Sequence, residues 1–268
     1  MSDLAGLRAY LEGLGRVLLG FSGGVDSALL AVVGTRTLGA ERFLAVIGLS
    51  ASYPEVQRFA ALDLASRFDI PLLELATLEL DDPRYAANPT NRCYFCKAEL
   101  WQRLRAVAAA RGFDTIIDGT NSDDLGEHRP GLQAAGEYAV RSPLAELGWT
   151  KAGIRRAARH LGIPVWNAPA APCLASRIQY GLAVTPERLQ QVESAEAFLR
   201  AVGVVGNLRV RHLGAAGARL EVEPDQFGVL EERWDDVRQF FHGIGFADVE
   251  RDPHGYRRGS LLALAPMA

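Results

Sequence analysis

The sequence has few cysteines, almost no lysine and no long apolar run. It holds three cysteines in 268 residues, and its only lysines are Lys97 and Lys151. Its apolar runs all stop short of the ~20 residues that span a membrane, so we predict no membrane contact. Residues 1–15 lack the continuous apolar segment of a signal peptide. These absences predict a cytoplasmic protein, whose three cysteines are not expected to form structural disulfides.

A strong net charge is also absent. The 29 basic and 32 acidic residues leave a net charge of −3, and the isoelectric point is about 6.0. A surface so close to neutral does not attract polyanions over its whole area, so we expect no nucleic-acid partner. The length allows one large domain together with a smaller one.

The most informative segment that is present is a glycine-rich hexapeptide, Ser22 to Ser27, with the sequence Ser-Gly-Gly-Val-Asp-Ser. It follows the apolar run Val17–Phe21 and precedes another that begins at Ala28, which predicts a strand-to-helix turn. Two glycines permit a tight turn whose amides, hydroxyls and helix start can surround phosphate oxygens. Asp26 would repel a phosphate there unless a cation lay between them, so we interpret it as a Mg²⁺ ligand. A glycine-rich turn that binds nothing is the alternative.

The hexapeptide is not a Walker A loop, because no G-x-x-x-x-G-K-[ST] string occurs in the chain. It resembles the PP-loop of the N-type ATP pyrophosphatases, a family that cleaves ATP between its α- and β-phosphates to adenylate a substrate. The resemblance implies an adenine nucleotide alpha-hydrolase-like domain. It also implies that ATP is bound by Ser22, Gly23, Gly24, Asp26 and Ser27.

Strands and helices alternate through the first part of the chain. The predicted strands are Val17–Phe21, Phe43–Leu49, Pro71–Leu75 and Phe113–Asp118. Such alternation predicts an α/β fold with a doubly wound parallel sheet that helices cover on both faces. Ligands bind at the carboxyl ends of such strands, where the hexapeptide and residues 119–121 fall. Residues 80–92, rich in Asp, Pro and Asn, predict a loop, and a helix is predicted from Lys97.

We predict three consecutive parts in the chain. Residues 1–165 form the PP-loop domain, residues 166–184 form a connection that carries Cys173, and residues 185–268 form a small α+β domain. In the last part, Leu208–His212 and Ala218–Val222 alternate like paired strands. Residues 226–241 are predicted to form one helix.

The three cysteines have an informative spacing. Cys93 and Cys96 form a C-x-x-C pair where a helix is predicted to begin, and Cys173 lies far along the chain. The helix dipole favours thiolates at such a start, and three thiolates can hold a [4Fe–4S] cluster with one iron open. A zinc site completed by His160 or His128, a redox dithiol, and buried apolar cysteines are the alternatives that spacing leaves open.

Four further strings occur in order after the PP-loop. They are D-G-T-N-x-D-D at 118–124, R-P-G-L at 129–132, R-S-P-L at 141–144 and the segment Cys173–Gly181. This array resembles the LarE family of ATP-dependent sulfur transferases over nearly the whole chain. The resemblance implies a role in the biosynthesis of the nickel-pincer nucleotide cofactor of lactate racemase. The substrate would be pyridinium-3,5-biscarboxylic acid mononucleotide, whose carboxylates become thiocarboxylates.

That family has two kinds of sulfur donor. In one, a single cysteine matching Cys173 gives up its sulfur and becomes dehydroalanine. In the other, this cysteine and a C-x-x-C pair hold a [4Fe–4S] cluster whose open iron carries a sulfide. Because all three cysteines are present here, we predict the cluster form, with sacrifice of Cys173 and tRNA thiolation as alternatives. The resemblance also implies a sulfide or other sulfur donor and a homo-oligomer.

Site residues follow from these resemblances and from side-chain chemistry. Catalytic roles are expected for Cys173, Asp26 and Ser176, and further ATP contacts for Gly119, Thr120, Asn121 and Asp124. Guanidinium groups match phosphate oxygens, so substrate contacts are expected for Arg177, Arg209, Arg211 and Arg129. A helix cap is the alternative for the 119–124 segment, and an exposed strand face for Arg209 and Arg211. Roles stay unassigned for Glu196, Glu221, Glu223, Arg257 and Arg258, and the three glutamates are expected to be solvated.

Overall fold

The computed structural model describes residues 4–125, 130–169, 172–257 and 259–264. Within these residues the α-helices are α1 (Leu4–Glu12), α2 (Val25–Leu38), α3 (Glu55–Arg67), α4 (Pro83–Ala86), α5 (Arg92–Arg111), α6 (Pro130–Glu137), α7 (Pro143–Glu146), α8 (Lys151–His160), α9 (Pro186–Ala201), α10 (Phe227–Glu232) and α11 (Trp234–Gly243). The strands are β1 (Val17–Gly20), β2 (Phe43–Leu49), β3 (Leu72–Ala76), β4 (Thr115–Ile117), β5 (Leu208–Leu213), β6 (Gly217–Val222) and β7 (Asp248–Arg251). None of these described helices is long and apolar enough to cross a membrane.

The chain divides into two compact units. The first contains Met1–Glu79 and Asn91–Ala171, and the second contains Leu80–Thr90 and Pro172–Ala268. The second unit is therefore built from two separate segments, which a division by sequence order does not foresee. The boundaries at residues 165 and 185 stay a prediction.

The first unit is built on a four-stranded sheet with the order β3-β2-β1-β4. All of its neighbouring strands are parallel, which confirms the α/β fold class. Val17 and Leu19 of β1 pack in one core with helices α1 and α2, whereas Leu18 packs in the opposite core with α5 and α6. A strand buried on both faces needs apolar residues at successive positions, and this explains the apolar run before the hexapeptide.

The strand order reverses beside β1, with β2 and β3 on one side and β4 on the other. Parallel α/β sheets bind ligands in the crevice beyond the carboxyl ends of the strands at such a reversal. The hexapeptide Ser22–Ser27 leaves β1 at this point, and the segment from Asp118 leaves β4 beside it. Two of the predicted site segments therefore share one edge of the sheet.

The second unit has its own small sheet. Strands β5 and β6 are antiparallel, as their alternation predicts, and β7 lies parallel to β6. Val210, Leu220 and Phe241 belong to its core. The prediction of one helix over residues 226–241 is wrong, because the backbone at Arg233 (φ −114°, ψ 15°) divides it into α10 and α11.

Residues 80–92 are not the irregular loop that their composition predicts. Asp82 caps α4 by accepting a hydrogen bond from the backbone N of Arg84 at 2.9 Å. Asn88, at φ 56°, donates from Nδ2 to the carbonyl oxygen of Gln179 at 2.8 Å. Helix α5 then begins at Arg92, ahead of the predicted start. Composition does not predict these elements, because the Asp82 cap and the hydrogen bond from Asn88 to the distant carbonyl of Gln179 fix the backbone here.

A polar cluster on the first unit joins α1 to α7. Arg141 donates from Nε to Glu146 Oε1 at 2.9 Å, and Tyr10 Oη donates to Glu146 Oε2 at 2.5 Å. The hydrogen bond from Arg141 lowers the pKa of Glu146 to about 2. Burial, reinforced by Glu146, raises the pKa of Tyr10 to about 12. The cluster therefore holds an ionised carboxylate beside a neutral phenol.

We expect Glu146→Gln to destabilise the protein in a pH-dependent way. Because the folded-state pKa of Glu146 lies below its ordinary 4.5, its stabilisation is complete above that value and is lost as the pH falls toward 2. The side chains are partly exposed, so the loss at pH 7 should be about 1 kcal/mol or less. Chemical denaturation of both proteins should show the difference shrinking below the ordinary pKa, and a constant difference would contradict this account.

Candidate functional site

Hydrogen bonds within the hexapeptide fix the loop between β1 and α2. Gly23 has φ +71°, and a Cβ atom there would lie 3.0 Å from the Cβ of Ala61. Ser27 Oγ donates to the Gly24 carbonyl at 3.0 Å and accepts from the Ser22 backbone N at 3.3 Å. Gly24 is the N-cap of α2 and supplies no side-chain cap. The first turn of α2 thus presents its amides in the way that anion-binding helices do.

Polar side chains at the start of α3 hold this loop from outside. Tyr53 Oη donates to the Ser22 carbonyl at 3.1 Å, and Gln57 Nε2 donates to the same oxygen at 2.6 Å. Burial raises the pKa of Tyr53, with the nearby charge of Glu74 adding to it. The phenol therefore stays protonated and can donate. Two side chains thus fix one carbonyl of the loop.

A buried carboxylate anchors the turn that carries Tyr53. Glu79 is 3% exposed, and its Oε1 accepts from Ser50 Oγ at 2.5 Å and from Ser52 Oγ at 3.0 Å. The Tyr53 backbone N donates to the Ser50 carbonyl at 3.0 Å. Sequence reasoning missed this group, although the serines directly follow β2 at the carboxyl edge of the sheet.

Asp26 lies on the first turn of α2 with two donors facing its carboxylate. Lys151 Nζ is 2.5 Å from Oδ2, and Asn121 Nδ2 is 3.5 Å from Oδ1. The position thus already attracts positive charge, as the prediction of a Mg²⁺ ligand requires. Protein-bound Mg²⁺ commonly takes one or two carboxylates together with substrate phosphates and water, so a single aspartate beside a nucleotide fits it.

The segment after β4 lies directly against the hexapeptide. A Cβ atom on Gly119 would lie 3.0 Å from the backbone N of Ser27 and 3.3 Å from the Cβ of Asp26. Asp118, buried behind it, accepts from Thr120 Oγ1 and from Ser142 Oγ, both at 2.8 Å. Only glycine permits this close approach without a shift of the PP-loop.

Asn121 and Asp124 form a reciprocal cap in this structure. Asn121 Oδ1 accepts from the backbone N of Asp123 at 3.0 Å, and Asp124 Oδ2 accepts from the backbone N of Asn121 at 3.2 Å. This arrangement is the helix cap that the sequence offers as the alternative for residues 119–124. The ATP contacts expected of Gly119, Thr120, Asn121 and Asp124 stay predictions.

Lys151 is another site residue that sequence reasoning missed. It opens α8, where Thr150 caps the helix by accepting from the Gly153 backbone N at 3.3 Å. The backbone N of Lys151 donates to Asp123 Oδ2 at 2.8 Å. A signal was available, because lysine supplies two of 29 basic residues. A lysine directly after a helix cap in so arginine-rich a chain supplies a flexible point charge at that position.

Two of the cysteines lie in the first two turns of α5. Cys93 and Cys96 are three residues apart, so their side chains share a helix face. They belong to the first unit, and Cys173 belongs to the second. The spacing of the pair suits two ligands of a cluster, and the role of Cys173 as the third ligand stays a prediction. Among the described residues, no three His, Cys, Asp or Glu side chains are placed to hold a metal ion.

Ser176 and Arg177 shape the turn that begins at Cys173. Ser176 Oγ donates to the Cys173 carbonyl at 2.7 Å, and Arg177 Nη1 donates to the same oxygen at 3.1 Å. Arg177 also pairs with Glu196, with Nε to Oε1 at 2.9 Å. Both residues therefore fix the backbone of Cys173, and their predicted catalytic and substrate roles stay untested.

The two strand arginines of β5 are buried rather than exposed. Arg209 is 7% and Arg211 is 5% exposed, so the alternative of an exposed strand face is wrong. Arg211 Nη2 is 2.8 Å from Glu221 Oε2, and Ser260 Oγ donates to the same oxygen at 2.9 Å. Glu221 is 1% exposed, which also overturns its expected solvation.

The positive charge of Arg209 is destabilised by burial. Burial, together with the charge of Arg177, lowers the pKa of Arg209 to about 10. Its guanidinium lies 5.3 Å from the ring centre of Tyr256. It remains protonated near neutral pH, and a protonated guanidinium can form charge-assisted hydrogen bonds to an anion. We call the group Arg177, Arg209, Arg211, Glu196 and Glu221 the arginine cluster.

The other predicted residues lie apart from these groups or outside the described chain. Glu223 accepts from Asn207 Nδ2 at 2.6 Å, and Arg257 lies 3.3 Å from Asp252. Arg129, Arg258 and His128 lie outside the described residues.

The chain is similar to a known family and to several known proteins. The family described as NAD synthase matches residues 4–125. The uncharacterized protein slr1717 of Synechocystis is 42% identical, with 97% of each chain covered. The pyridinium-3,5-bisthiocarboxylic acid mononucleotide synthase of Lactiplantibacillus plantarum is 32% identical over 96% of this chain and 92% of that protein. A glutamine-dependent NAD(+) synthetase of Rhodobacter capsulatus is 41% identical over 83 residues, which are 30% of this chain and 14% of that protein.

Proposed function

Because the chain belongs to the LarE family of PP-loop proteins, which includes the pyridinium-3,5-bisthiocarboxylic acid mononucleotide synthase, we propose that it is an ATP-dependent sulfur transferase. Its substrate would be pyridinium-3,5-biscarboxylic acid mononucleotide, and its product would be the thiocarboxylate used in the nickel-pincer nucleotide cofactor. One observation supports the ATP half most directly. Asp26 projects from an uncapped helix start with a cation already on its carboxylate.

The first step needs the carboxylate to become a good acyl donor. A carboxylate oxygen attacks the α-phosphorus of ATP, the bond to the β-phosphate oxygen breaks, and pyrophosphate leaves with the bonding pair. The braced loop from Ser22 to Ser27 would hold the departing pyrophosphate, and Asp26 would hold Mg²⁺ on the phosphates. Positioning and charge stabilisation supply most of the rate in such transfers.

The second step brings sulfur to the primed carbonyl. A sulfur nucleophile attacks the acyl carbon, and AMP leaves with the oxygen that bridged carbon and phosphorus. Cys93, Cys96 and Cys173 would hold a [4Fe–4S] cluster, which when bound supplies a nucleophilic sulfide. Ser176 and Arg177 would keep the Cys173 turn in place. The homo-oligomer and the cytoplasmic location stay predictions.

The arginine cluster would hold the anionic end of the nucleotide substrate. Its guanidiniums are buried, and burial together with the charge of Arg177 lowers the pKa of Arg209. A phosphate or carboxylate bound there would form charge-assisted hydrogen bonds. Ser260 hydrogen-bonds to both members of the Arg211–Glu221 pair. This pair would keep the strand that carries Arg209 in place.

We expect Arg209→Met to raise the KM for the pyridinium substrate by about 10- to 100-fold, because one charge-assisted hydrogen bond is lost. The KM for ATP should stay close to that of the unmodified protein. Arg219→Met is the matched control, since Arg219 lies on β6 and pairs with the exposed Glu250. Equal effects of both substitutions on the substrate KM would contradict the assignment.

The proposal as a whole is tested by anaerobic purification and turnover. Iron and acid-labile sulfide are assayed first, and AMP, pyrophosphate and thiocarboxylate are then measured together. We expect near-equal iron and sulfide, one AMP per thiocarboxylate, and intact Cys173 after several turnovers. Dehydroalanine at Cys173 in a metal-free protein would refute cluster delivery and favour the sacrificial donor.

A further inference from the structure

Two side chains at the start of α3 hold the peptide between Ser22 and Gly23. We propose that Tyr53 and Gln57 are positioning residues for the pyrophosphate part of ATP, an inference that rests on the proposed function. By holding the Ser22 carbonyl on the α3 side of the loop, they turn the N–H of the same peptide toward the phosphates. Neither residue belongs to the glycine-rich hexapeptide, so the motif does not reveal this role.

The geometry of this peptide fixes where its N–H points. Tyr53 Oη donates to the Ser22 carbonyl at 3.1 Å, and Gln57 Nε2 donates to the same oxygen at 2.6 Å. The peptide is trans, and in a planar trans peptide the N–H and the carbonyl point in opposite directions. The Gly23 N–H therefore points away from α3. No hydrogen bond within the described part of the chain has it as the donor, so it is available to a ligand.

A peptide that precedes a glycine can turn over at little cost. Glycine adopts positive and negative φ about equally well, so the φ of +71° at Gly23 does not by itself fix this peptide. The reversed peptide would point the Ser22 carbonyl oxygen at the phosphates and would remove one amide from the nest. A carbonyl oxygen repels a phosphate oxygen, whereas an N–H attracts it. The two donors therefore select the orientation that binds an anion.

The two donors are themselves held in place by contacts within the first unit. The Tyr53 backbone N donates to the Ser50 carbonyl at 3.0 Å, and the buried Glu79 accepts from Ser50 Oγ at 2.5 Å. Gln57 lies in the first turn of α3, where its backbone N donates to the Pro54 carbonyl at 3.0 Å. Because these contacts exist without a nucleotide, the loop needs no reorganisation when pyrophosphate arrives.

Two donors on one oxygen predict a non-additive response to substitution. Removing either donor leaves the other to hold the carbonyl, so Tyr53→Phe and Gln57→Met should each weaken pyrophosphate binding by about threefold or less. Removing both frees the peptide to turn over, so the double variant should bind pyrophosphate about 30-fold or more weakly. Calorimetric titration of the full chain with Mg²⁺ and pyrophosphate measures these affinities. AMP binding should stay within about twofold in every variant, a difference that a general loss of structure would not produce.

Gln57→Glu supplies a second test at a single site. Its ionised carboxylate cannot donate and repels the Ser22 carbonyl, whereas the protonated acid can donate. Pyrophosphate binding by this variant, relative to that of the unmodified chain at the same pH, should therefore recover as the pH falls toward ~5. A ratio that does not change with pH would contradict the role of Gln57.

The matched control makes the same two chemical changes elsewhere in the first unit, as Tyr138→Phe with Gln133→Met. Gln133 donates to Glu137 within α6, and Tyr138 packs against the core on the opposite face of the sheet. This control should bind pyrophosphate within about twofold of the unmodified chain, and thermal melting should show all variants folded. Unchanged pyrophosphate binding in the double variant at Tyr53 and Gln57, or an equal loss of AMP binding, would overturn the positioning role. Absence of pyrophosphate release from the unmodified chain with its carboxylate substrate would instead overturn the proposed function.

Discussion

Replacing Cys173 with alanine should abolish thiocarboxylate formation, with a loss of at least about 10³-fold, as expected for removal of a group that takes part in covalent chemistry. Cys173 is required in both donor schemes, as a cluster ligand or as the sulfur source. Ser176 and Arg177 hold its carbonyl at 2.7 and 3.1 Å, so the turn should survive loss of the thiol. Liquid chromatography with mass spectrometry measures the product directly.

The companion variant Cys93→Ala separates the two donor schemes. Cys93 lies one helical turn from Cys96 on α5, and it has a role only where a cluster is held. Cluster delivery predicts that Cys93→Ala loses thiocarboxylate formation along with bound iron. A single turnover per chain by Cys93→Ala, leaving dehydroalanine at Cys173, would contradict the cluster. Wild-type product formation by Cys173→Ala would contradict both schemes.

Replacing Asp26 with asparagine should lower pyrophosphate release by about 10²- to 10³-fold, since the carboxylate that would hold Mg²⁺ on the reacting phosphates is lost. Asparagine keeps the shape of the side chain but removes the negative charge that holds Lys151 and, on our proposal, Mg²⁺. The affinity for Mg²⁺-ATP should fall more than the affinity for metal-free ATP. Calorimetric titration of both ligands measures the two affinities.

The control for that substitution is Asp63→Asn on α3. Asp63 is 55% exposed and pairs with Arg67 one turn away, so its loss removes the same charge from the same unit. It should leave pyrophosphate release within about twofold, as exposed pairs contribute little. If Asp26→Asn behaves like Asp63→Asn, Asp26 is not the metal ligand.

The sequence was sufficient to predict the elements whose signals are local. The apolar runs of β1 and β2 predict buried parallel strands, and the structure buries both faces of β1. The alternation in Leu208–His212 and Ala218–Val222 predicts paired strands, and β5 and β6 are antiparallel neighbours. The hexapeptide also lies where strand order puts a ligand site. Each of these features depends on residues that are close together in the sequence.

The failures share a dependence on contacts distant in sequence. The alternation of Arg209 and Arg211 fixes which face they share but not whether that face is covered. Arg211 pairs with Glu221 and Arg209 lies beside Tyr256, and no local pattern links these partners to the arginines. The hydrogen bonds from Tyr53 to Ser22 and from Lys151 to Asp26 also join residues that are distant in sequence. Side-chain partners of this kind become visible only once the sheet order is known.

The acyl-adenylate is tested most directly by an oxygen label. The pyridinium biscarboxylate is prepared with ¹⁸O in its carboxylates and turned over with unlabelled ATP under anaerobic conditions. If a carboxylate oxygen attacks the α-phosphorus and sulfur then attacks the acyl carbon, each AMP formed carries one labelled oxygen and appears with one thiocarboxylate. Unlabelled AMP, or ADP in place of AMP, would contradict the account.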